Sequence, residues 1–381
     1  MKIRDACNIL NGFAFKSENY TNSGIRIIRI ANVQKGFIED TMPVFYPLNS
    51  EGLDKYMLEE GDLLISLTGN VGRVALLEKE LLPAALNQRV ACLRLKTDKI
   101  SKRYLFHILN SNYFEQQCMQ SSKGVAQKNM STEWLKDYGI PLYSVERQAE
   151  IISVLDRTEL IIAYRKKELQ KLDELIKARF IEMFGAYTEK ARLSDVATIS
   201  GGLTKSTKRN KLPLRIPYLR VANVSFASID VSEMLDIGLT EEEYSKTLLQ
   251  SGDLLFVEGN GSPDQIGRVA IWENQVVPCV HQNHLIKSRF KKGLVIPSFA
   301  MYYFMSSKGR EQIKRKAVST SGLYTLSVSK IADLMLPAPP LDLQNQFAAF
   351  VAQIDKSKVA IQKSLEKTQL LFDSLMQKYF G

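Results

Sequence analysis

Short blocks recur in this chain at a nearly fixed distance, so whatever it folds into must be built twice. Arg29-Ile30-Ala31-Asn32-Val33 returns as Arg220-Val221-Ala222-Asn223-Val224, and Gly61-Asp62-Leu63-Leu64 returns as Gly252-Asp253-Leu254-Leu255, both 191 residues on. Gly72-Arg73-Val74-Ala75 matches Gly267-Arg268-Val269-Ala270 at 195, and Phe184-Gly185 matches Phe380-Gly381 at 196. The drifting offset puts the extra residues in connections and keeps the frameworks matched. A chain of 381 residues has room for two or three domains. The repeat makes it a pseudo-two-fold object with two similar modules.

Each half ends in a segment of different grammar. Ile151, Leu155, Ile162, Leu169, Leu172 and Ile176 follow a three-four spacing that Thr158, Arg165, Arg179 and Met183 complete. Phe347, Val351, Ile354, Ile361, Leu365, Phe372, Leu375 and Tyr379 trace the same register 196 residues later, with Lys358 and Thr368 as its polar members. A stripe of this kind is a coiled-coil seam, whose a and d positions must meet another helix. Each segment reaches about 33 residues, or roughly 50 Å of helix, and the natural partner of each is its own copy. An antiparallel pair would put the modules at opposite ends of a rod, although the link after Gly185 leaves either orientation physically open. Arg165 and Lys358 keep the seam from being fully dry and can fix its register.

The modules themselves read as mixed. Ile25–Ile30, Asp62–Leu67, Gly72–Leu77 and Val90–Leu95 are short apolar runs bounded by turn residues, and predict strands. Leu105, Ile108, Leu109 and Phe114 predict one surface helix from Tyr104 to Cys118. Ser131 or Thr132 can cap a short helix with Trp134, Leu135 and Tyr138. Pro337, Pro339 and Pro340 exclude regular helix and mark a module edge. The expected class is α+β: two mixed α/β modules joined by two long helices.

Charge narrows the partners. A formal net charge of +10, spread over both halves, favours nucleic acid over an anionic membrane surface. No run approaches the roughly 18 apolar residues of a membrane span, and Met1-Lys2-Ile3-Arg4-Asp5 lacks the apolar core of a signal peptide. The scattered Cys7, Cys92, Cys118 and Cys279 read as reduced thiols. A cytoplasmic protein without a membrane partner is expected.

Catalytic patterns are missing. The sequence holds no dinucleotide fingerprint, phosphate loop, nucleophile elbow, His-Glu-x-x-His or Asp/Asn-Pro-Pro-Tyr. Gly69-Asn70-Val71-Gly72 resembles half a glycine-rich loop, but its copy, Gly259 to Gly267, is four residues longer, so a variable strand connection is expected. Glu241, Glu242 and Glu243 read as a solvated face. Cys279, His281 and His284 have metal-ligand chemistry, yet their counterparts are Ala84, Leu86 and Arg89, and no metal is expected. What remains is a set of donors at loop edges: Lys16, Arg26, Arg73, Asn87, Gln88, Arg89, Lys123, Gln127 and Lys128 in the first module. The second offers Lys205, Lys208, Arg209, Arg268, Gln282, Asn283, His284, Ser321 and Tyr324. Lys, Ser and Tyr suit phosphate oxygens, while Arg, Gln and Asn can make paired bonds to a base edge. Arg73 and Arg268, kept in both copies, could equally brace their own modules.

These blocks resemble the specificity (S, HsdS) subunit of type I restriction-modification enzymes over essentially the whole chain. The resemblance lies in the repeated Arg-x-Ala-Asn-Val, Gly-Asp-Leu-Leu and Gly-Arg-Val-Ala blocks and in Phe13-Ala14-Phe15-Lys16-Ser17. Pro337-Ala338-Pro339-Pro340-Leu341 with Gln344, and the weaker Ile140-Pro141-Leu142 with Gln148, also carry it. It implies target-recognition domains at 1–145 and 186–342, followed by conserved helical spacers at 146–185 and 343–381. It further implies a non-catalytic chain that binds a bipartite DNA site, with one half read by each domain. Two methyltransferase subunits would dock on the helices, bringing S-adenosylmethionine and adenine-N6 methylation, and translocase-nuclease subunits would join for restriction. This chain would carry no cofactor. A 50 Å rod matches about fifteen base-pair steps. Divergence at Thr204–Leu214 and Pro263–Ile266 predicts unlike half-sites and an asymmetric target. A stand-alone DNA-binding regulator of the same fold is the alternative, and a nuclease or methyltransferase in its own right a more distant one.

Overall fold

The computed structural model describes residues 1–122, 129–320 and 322–381. Its contacts form two compact units, Met1–Lys166 with Lys363–Gly381, and Lys167–Gln362. Each unit therefore holds one mixed module and a piece of both long helices.

In the first unit a four-stranded antiparallel sheet runs in the order Cys7–Asn11, Val90–Leu95, Leu63–Ser66, Val74–Leu76. Its side chains alternate between two cores, as the period of two requires. Leu63, Ile65, Val74, Ala91 and Leu93 face one cluster, while Leu64, Ala75, Val90 and Cys92 face another. Burial on both faces explains why these strands read as continuous apolar runs. A second, three-stranded sheet places Ile25–Ile28 between Phe45–Tyr46, antiparallel, and Ala84–Leu86, parallel.

The second unit repeats the plan. Ala197–Ser200, Leu285–Phe290, Leu254–Val257 and Val269–Ile271 form the four-stranded sheet. Leu214–Leu219 lies between Leu235–Leu239 and Val280–His281 in the three-stranded one. Here a further small sheet joins Gly259–Asn260, Leu323–Thr325 and Val318–Thr320.

The repeated blocks are framework. Asn32 accepts from the Arg29 N–H and donates to the Glu39 carbonyl, and Asn223 does the same with Arg220 and Asp230. Asp62 and Asp253 each cap a turn and take a two-pronged guanidinium bond, from Arg94 and Arg289, with contacts of 2.7 to 2.9 Å. Gly72 and Gly267 adopt φ of +79° and +63°; a Cβ would lie 2.7 Å from Cys118 Sγ or 2.5 Å from Ile313 Cγ2.

The apolar segments form helices of 40 residues each, Val145–Phe184 and Leu341–Phe380. In the first unit Ile151 and Leu155 share a core with Met376 and Phe380, and Arg147 lies over the Tyr379 ring. In the second, Phe180 and Phe184 pack on Phe347, while Asp173 meets Lys358. Within each unit the start of one helix thus lies beside the end of the other, an antiparallel pairing. Ile162, Ile176 and Val351 are also buried, whereas Leu169, Leu172, Ile354, Ile361, Leu365, Phe372 and Leu375 are half-buried. Gln148 and Gln344 pin each helix start to the module: each accepts a backbone N–H, from Ser101 or Ile296, and donates to two carbonyls of the flanking loops.

The expected single surface helix at 104–118 is instead two helices, Lys102–Leu109 and Asn112–Ser121, and the first is largely buried. The break arises because the Ser111 hydroxyl accepts from the Phe114 N–H and starts a new helix there.

Candidate nucleic-acid interface

Four connections meet at one edge of the first module, tied by backbone hydrogen bonds. Phe13 donates to Leu86 and its carbonyl accepts from Gln88, at 2.8 and 2.9 Å. Leu67 donates to Arg89 and accepts from Met130, at 3.0 and 2.9 Å, and Thr68 bridges Asn129. The close approach demands glycine at position 12, where a Cβ would sit 2.2 Å from the Asn87 carbonyl. The second module ties its counterparts likewise. Leu203 donates to His281 and accepts from Asn283; Glu258 donates to His284 and accepts from Leu326, all at 2.8 to 3.0 Å. Gly202 there is as constrained as Gly12, at 2.1 Å from the His281 carbonyl.

The structure sorts the sequence candidates around this edge. Gln88 and Arg89 are exposed, and their side chains have no partner among the described residues. Asn87 is half-buried beside them, and Lys16 is exposed 3.8 Å from Glu18. In the second module Gln282, Asn283 and His284 occupy the places of Asn87, Gln88 and Arg89, the first two half-buried and His284 exposed, and Lys205 and Lys208 are exposed shortly after Leu203. His284 lies 2.9 Å from Glu258 Oε2, and Tyr324 pairs with Asn260 in the small sheet. Lys123, Gln127, Lys128 and Ser321 fall outside the described residues.

Other candidates are engaged within their modules. Arg26 is paired with Asp40 and lies over the Phe45 ring. Arg73 donates to Gln34 and Arg268 to Gln265. Arg209 donates to the Thr204 and Gly238 carbonyls and to both oxygens of Glu243. Its guanidinium and the Thr240 N–H hold the Glu243 carboxyl down to about 2. The three-glutamate run is therefore not simply a solvated face, since Glu243 braces a loop and caps a helix. In the enlarged loop the Asn260 Oδ1 accepts from the Ser262 N–H and closes a local turn.

Metal-type donors behave differently from their spacing. Burial pushes the Cys279 thiol up to about 12. His281 is fully buried, its Nδ1 2.9 Å from the Leu285 carbonyl, and burial brings its pKa down to about 4. Among the described residues the donors that converge are His107, Asp156 and Glu159. Arg103 already spans those two carboxylates, at 2.7 and 2.6 Å.

A family profile for the type I restriction modification DNA specificity domain matches residues 1–174 and 188–370, most of both units. The chain belongs to this family. Relatives of this specificity subunit include the StySPI specificity subunit of Salmonella potsdam and the EcoKI specificity subunit of Escherichia coli K12. Each is 23% identical, over 98% of this chain and 86% of its own length. The fold matches a crystal structure of the S subunit from M. genitalium, with TM-score 0.57, 13% identity and coverage of 100% and 95%. It also matches a chain from a study of complex assembly and conformational transition in the type I R-M system, with TM-score 0.59, 14% identity and coverage of 100% and 96%. The protein is a DNA-binding specificity subunit and not itself an enzyme. Among the described residues no helix is long and apolar enough to cross a membrane.

For such a subunit the loop edge has suitable chemistry. Its side chains offer amide and guanidinium groups, which can make paired hydrogen bonds to base edges, while lysines supply charge for phosphates. The loops that carry them rest on frameworks the two modules share, and they differ between the modules.

Proposed function

We propose that each module reads one half of a bipartite, asymmetric DNA site through its loop edge. Gln88 and Arg89 serve the first half-site, and Gln282 and Asn283 the second. Asn87, His284 and Tyr324 flank these readers, and Lys16, Lys205 and Lys208 meet phosphates. Arg26, Arg73, Arg209 and Arg268 act as braces that shape the loops. The observation carrying this reading is that equivalent connections converge in both modules while their exposed side chains differ.

The long helices then dock two methyltransferase subunits in the cytoplasm. Those subunits bring S-adenosylmethionine and extract the target adenine, and restriction subunits join the same assembly. The seam residues, from Ile151 to Ile176 and from Phe347 to Leu375, serve as the helical spacers of domains divided at 145, 185 and 342. Two readers on one chain gain affinity through effective concentration, and each correct paired contact adds ~1–3 kcal/mol of discrimination.

The test is genome-wide adenine methylation with the gene present, deleted, or carrying Gln88→Ala with Arg89→Ala. A bipartite motif should vanish on deletion, and the double variant should relax one half of it only. An unchanged methylome beside an active methyltransferase would sink the proposal.

A further inference from the structure

The second unit has a cleft of about 600 Å³ whose walls include Asp173, Asp355 and Lys358 from the long helices, with Met301, Tyr302 and Glu273 from the module. The first unit shows what such a wall can hold. Ser111 and Ser306 cap the following helices alike, which aligns the preceding helices, Lys102–Leu109 and Pro297–Met305, at an offset of 195. The long helices align at 196. By these registers Phe106, His107 and Glu159 correspond to Met301, Tyr302 and Asp355, which all line the cleft.

In the first unit those residues surround a guanidinium. Arg103 lies 4.5 Å from the Phe106 ring centroid and 2.6 Å from Glu159, and Asp156 completes the site. His107, fully buried, reaches the same Asp156 oxygen at 2.7 Å. The counterpart of Arg103 is Ser298, which carries no charge. Asp156 becomes Ala352, and the carboxylate it supplied is replaced at the cleft by Asp173 from the other helix. Lys358 covers part of this need, at 2.6 Å from Asp173 and 3.9 Å from Asp355. Three carboxylates, Asp173, Asp355 and Glu273, still face only two lysines, Lys177 and Lys358. Burial raises the Asp355 carboxyl above its usual range, as expected of an incompletely compensated acid. The second unit thus keeps one carboxylate of that site, Asp355, with Asp173 beside it at the cleft, and lacks the guanidinium.

We infer that this cleft receives an arginine side chain from a partner subunit docked on the long helices, seated between Met301 and Tyr302 against Asp355 and Asp173. The partner's identity rests on the function proposed above. Arginine suits the cleft because its flat, delocalised cation can stack on an apolar or aromatic wall while forking onto carboxylates. One internal copy supplies its own ligand, and the other leaves that place for a second chain.

The test begins with the full chain alone, labelled at methionine methyl groups and titrated with N-acetyl-arginine amide. Saturable shifts of Met301 and Met305 are expected, weakened at least about tenfold by Asp355→Asn and abolished by Ser298→Arg, which would restore the internal ligand. No saturable shift, with the fold intact by thermal melting, overturns the cleft. Assembly with the methyltransferase subunit is then measured: Ser298→Arg and Asp355→Asn should each weaken it about tenfold without altering DNA binding by this chain. Probe binding together with undiminished assembly would overturn the partner as the source and assign the cleft to a free guanidinium or amine. The titration needs no DNA and no partner, so its outcome and that of the methylome experiment can fail separately.

Discussion

The two modules keep the same backbone plan but solve the same local problems with different side chains. Where the first joins Lys35 to Glu115 and Asn112, the second lays Arg310 over the Phe226 ring. Where the first buries the Cys92 thiol, the second buries Lys287, whose ammonium reaches the Lys246 and Leu248 carbonyls at 3.0 and 3.2 Å. Buried His107 becomes Tyr302, and Arg103 becomes Ser298. Against this turnover, Asn32 with Asn223, Asp62 with Asp253 and Gln148 with Gln344 keep both identity and partners. The lesson is that side chains persist where they satisfy backbone groups, because a lost partner strands a buried donor or acceptor. Side chains that satisfy each other, such as Lys35 and Glu115, can change as a set, and the replacements can take backbone partners of their own, as Arg310 and Lys287 do.

The largest effect expected from this contrast lies in the shared framework. Asp62→Ala or Asp253→Ala leaves a guanidinium and a turn N–H without their acceptor. Each should cost about 2–4 kcal/mol, somewhat below the full cost of a broken buried pair, because the arginines are a third exposed. Asp253 also offsets the neighbouring Lys287, so the loss should be greater in the second unit. Denaturant unfolding of the two variants would check this. A negligible loss at either position would break the equivalence of the frameworks.

A medium effect separates the modules by pH. Burial takes the Lys287 pKa down to about 8, with Arg289 pushing the same way and Asp253 opposing. An unfolded lysine keeps its proton to about 10.4, so between these values this lysine's own contribution to stability rises with pH, against the fall contributed by the four buried thiols, which burial pushes up. The lysine's slope is at most about 1.4 kcal/mol per pH unit. His107 acts on the acid side. Burial brings it to about 4, Asp156 opposes this and Arg103 assists, with Glu159 alongside. Its stabilising contribution is intact above about 6.5 and falls away as the solution is acidified toward 4. Stability measured from pH 4 to 10 should fall more steeply on the alkaline side in Lys287→Met and lose part of its acid fall in His107→Gln, the remainder belonging to His281 and, near pH 4, to carboxylates held low such as Glu243. An alkaline limb left unchanged by Lys287→Met would remove the asymmetry.

The long helices and the strands within 25–30, 62–67, 72–77 and 90–95 were legible in sequence because periodicity reports burial directly. The antiparallel orientation was not fixed by it, since the same stripe serves either direction. The Ser111 break was not, since Tyr104 to Cys118 keeps an apolar spacing across two helices and only a hydroxyl marks the boundary. At the candidate interface, residue type was legible and commitment was not. Arg209 and Arg89 look alike as letters, yet one is spent on Glu243 and two carbonyls while the other points into solvent. Those partners lie up to 34 residues away, beyond any local pattern. The convergence of the four connections also depends on tertiary hydrogen bonds that no spacing encodes.

The smallest expected effect tests whether side-chain pairs that exchange as sets are also equal in strength. Lys35 and Glu115 are partly exposed, so a double-alanine cycle should return only about 0.2–1 kcal/mol, and most of it should disappear in molar salt. Phe226 and Arg310 should couple by about 0.5–1 kcal/mol. That coupling should resist salt better, because the guanidinium is half-buried and held by the Gly267 and Ile266 carbonyls at 2.9 and 2.6 Å. Those carbonyl bonds make Arg310→Ala a poor probe of the ring alone, so the cycle should use Phe226→Leu, which keeps apolar bulk and removes the π face. Equal salt sensitivity in the two cycles would mean that both contacts are ordinary screened surface charges. A salt-resistant coupling confined to the second module would show that replacing an ion pair by a cation over a ring changed the physics of the contact while leaving the backbone around it unchanged.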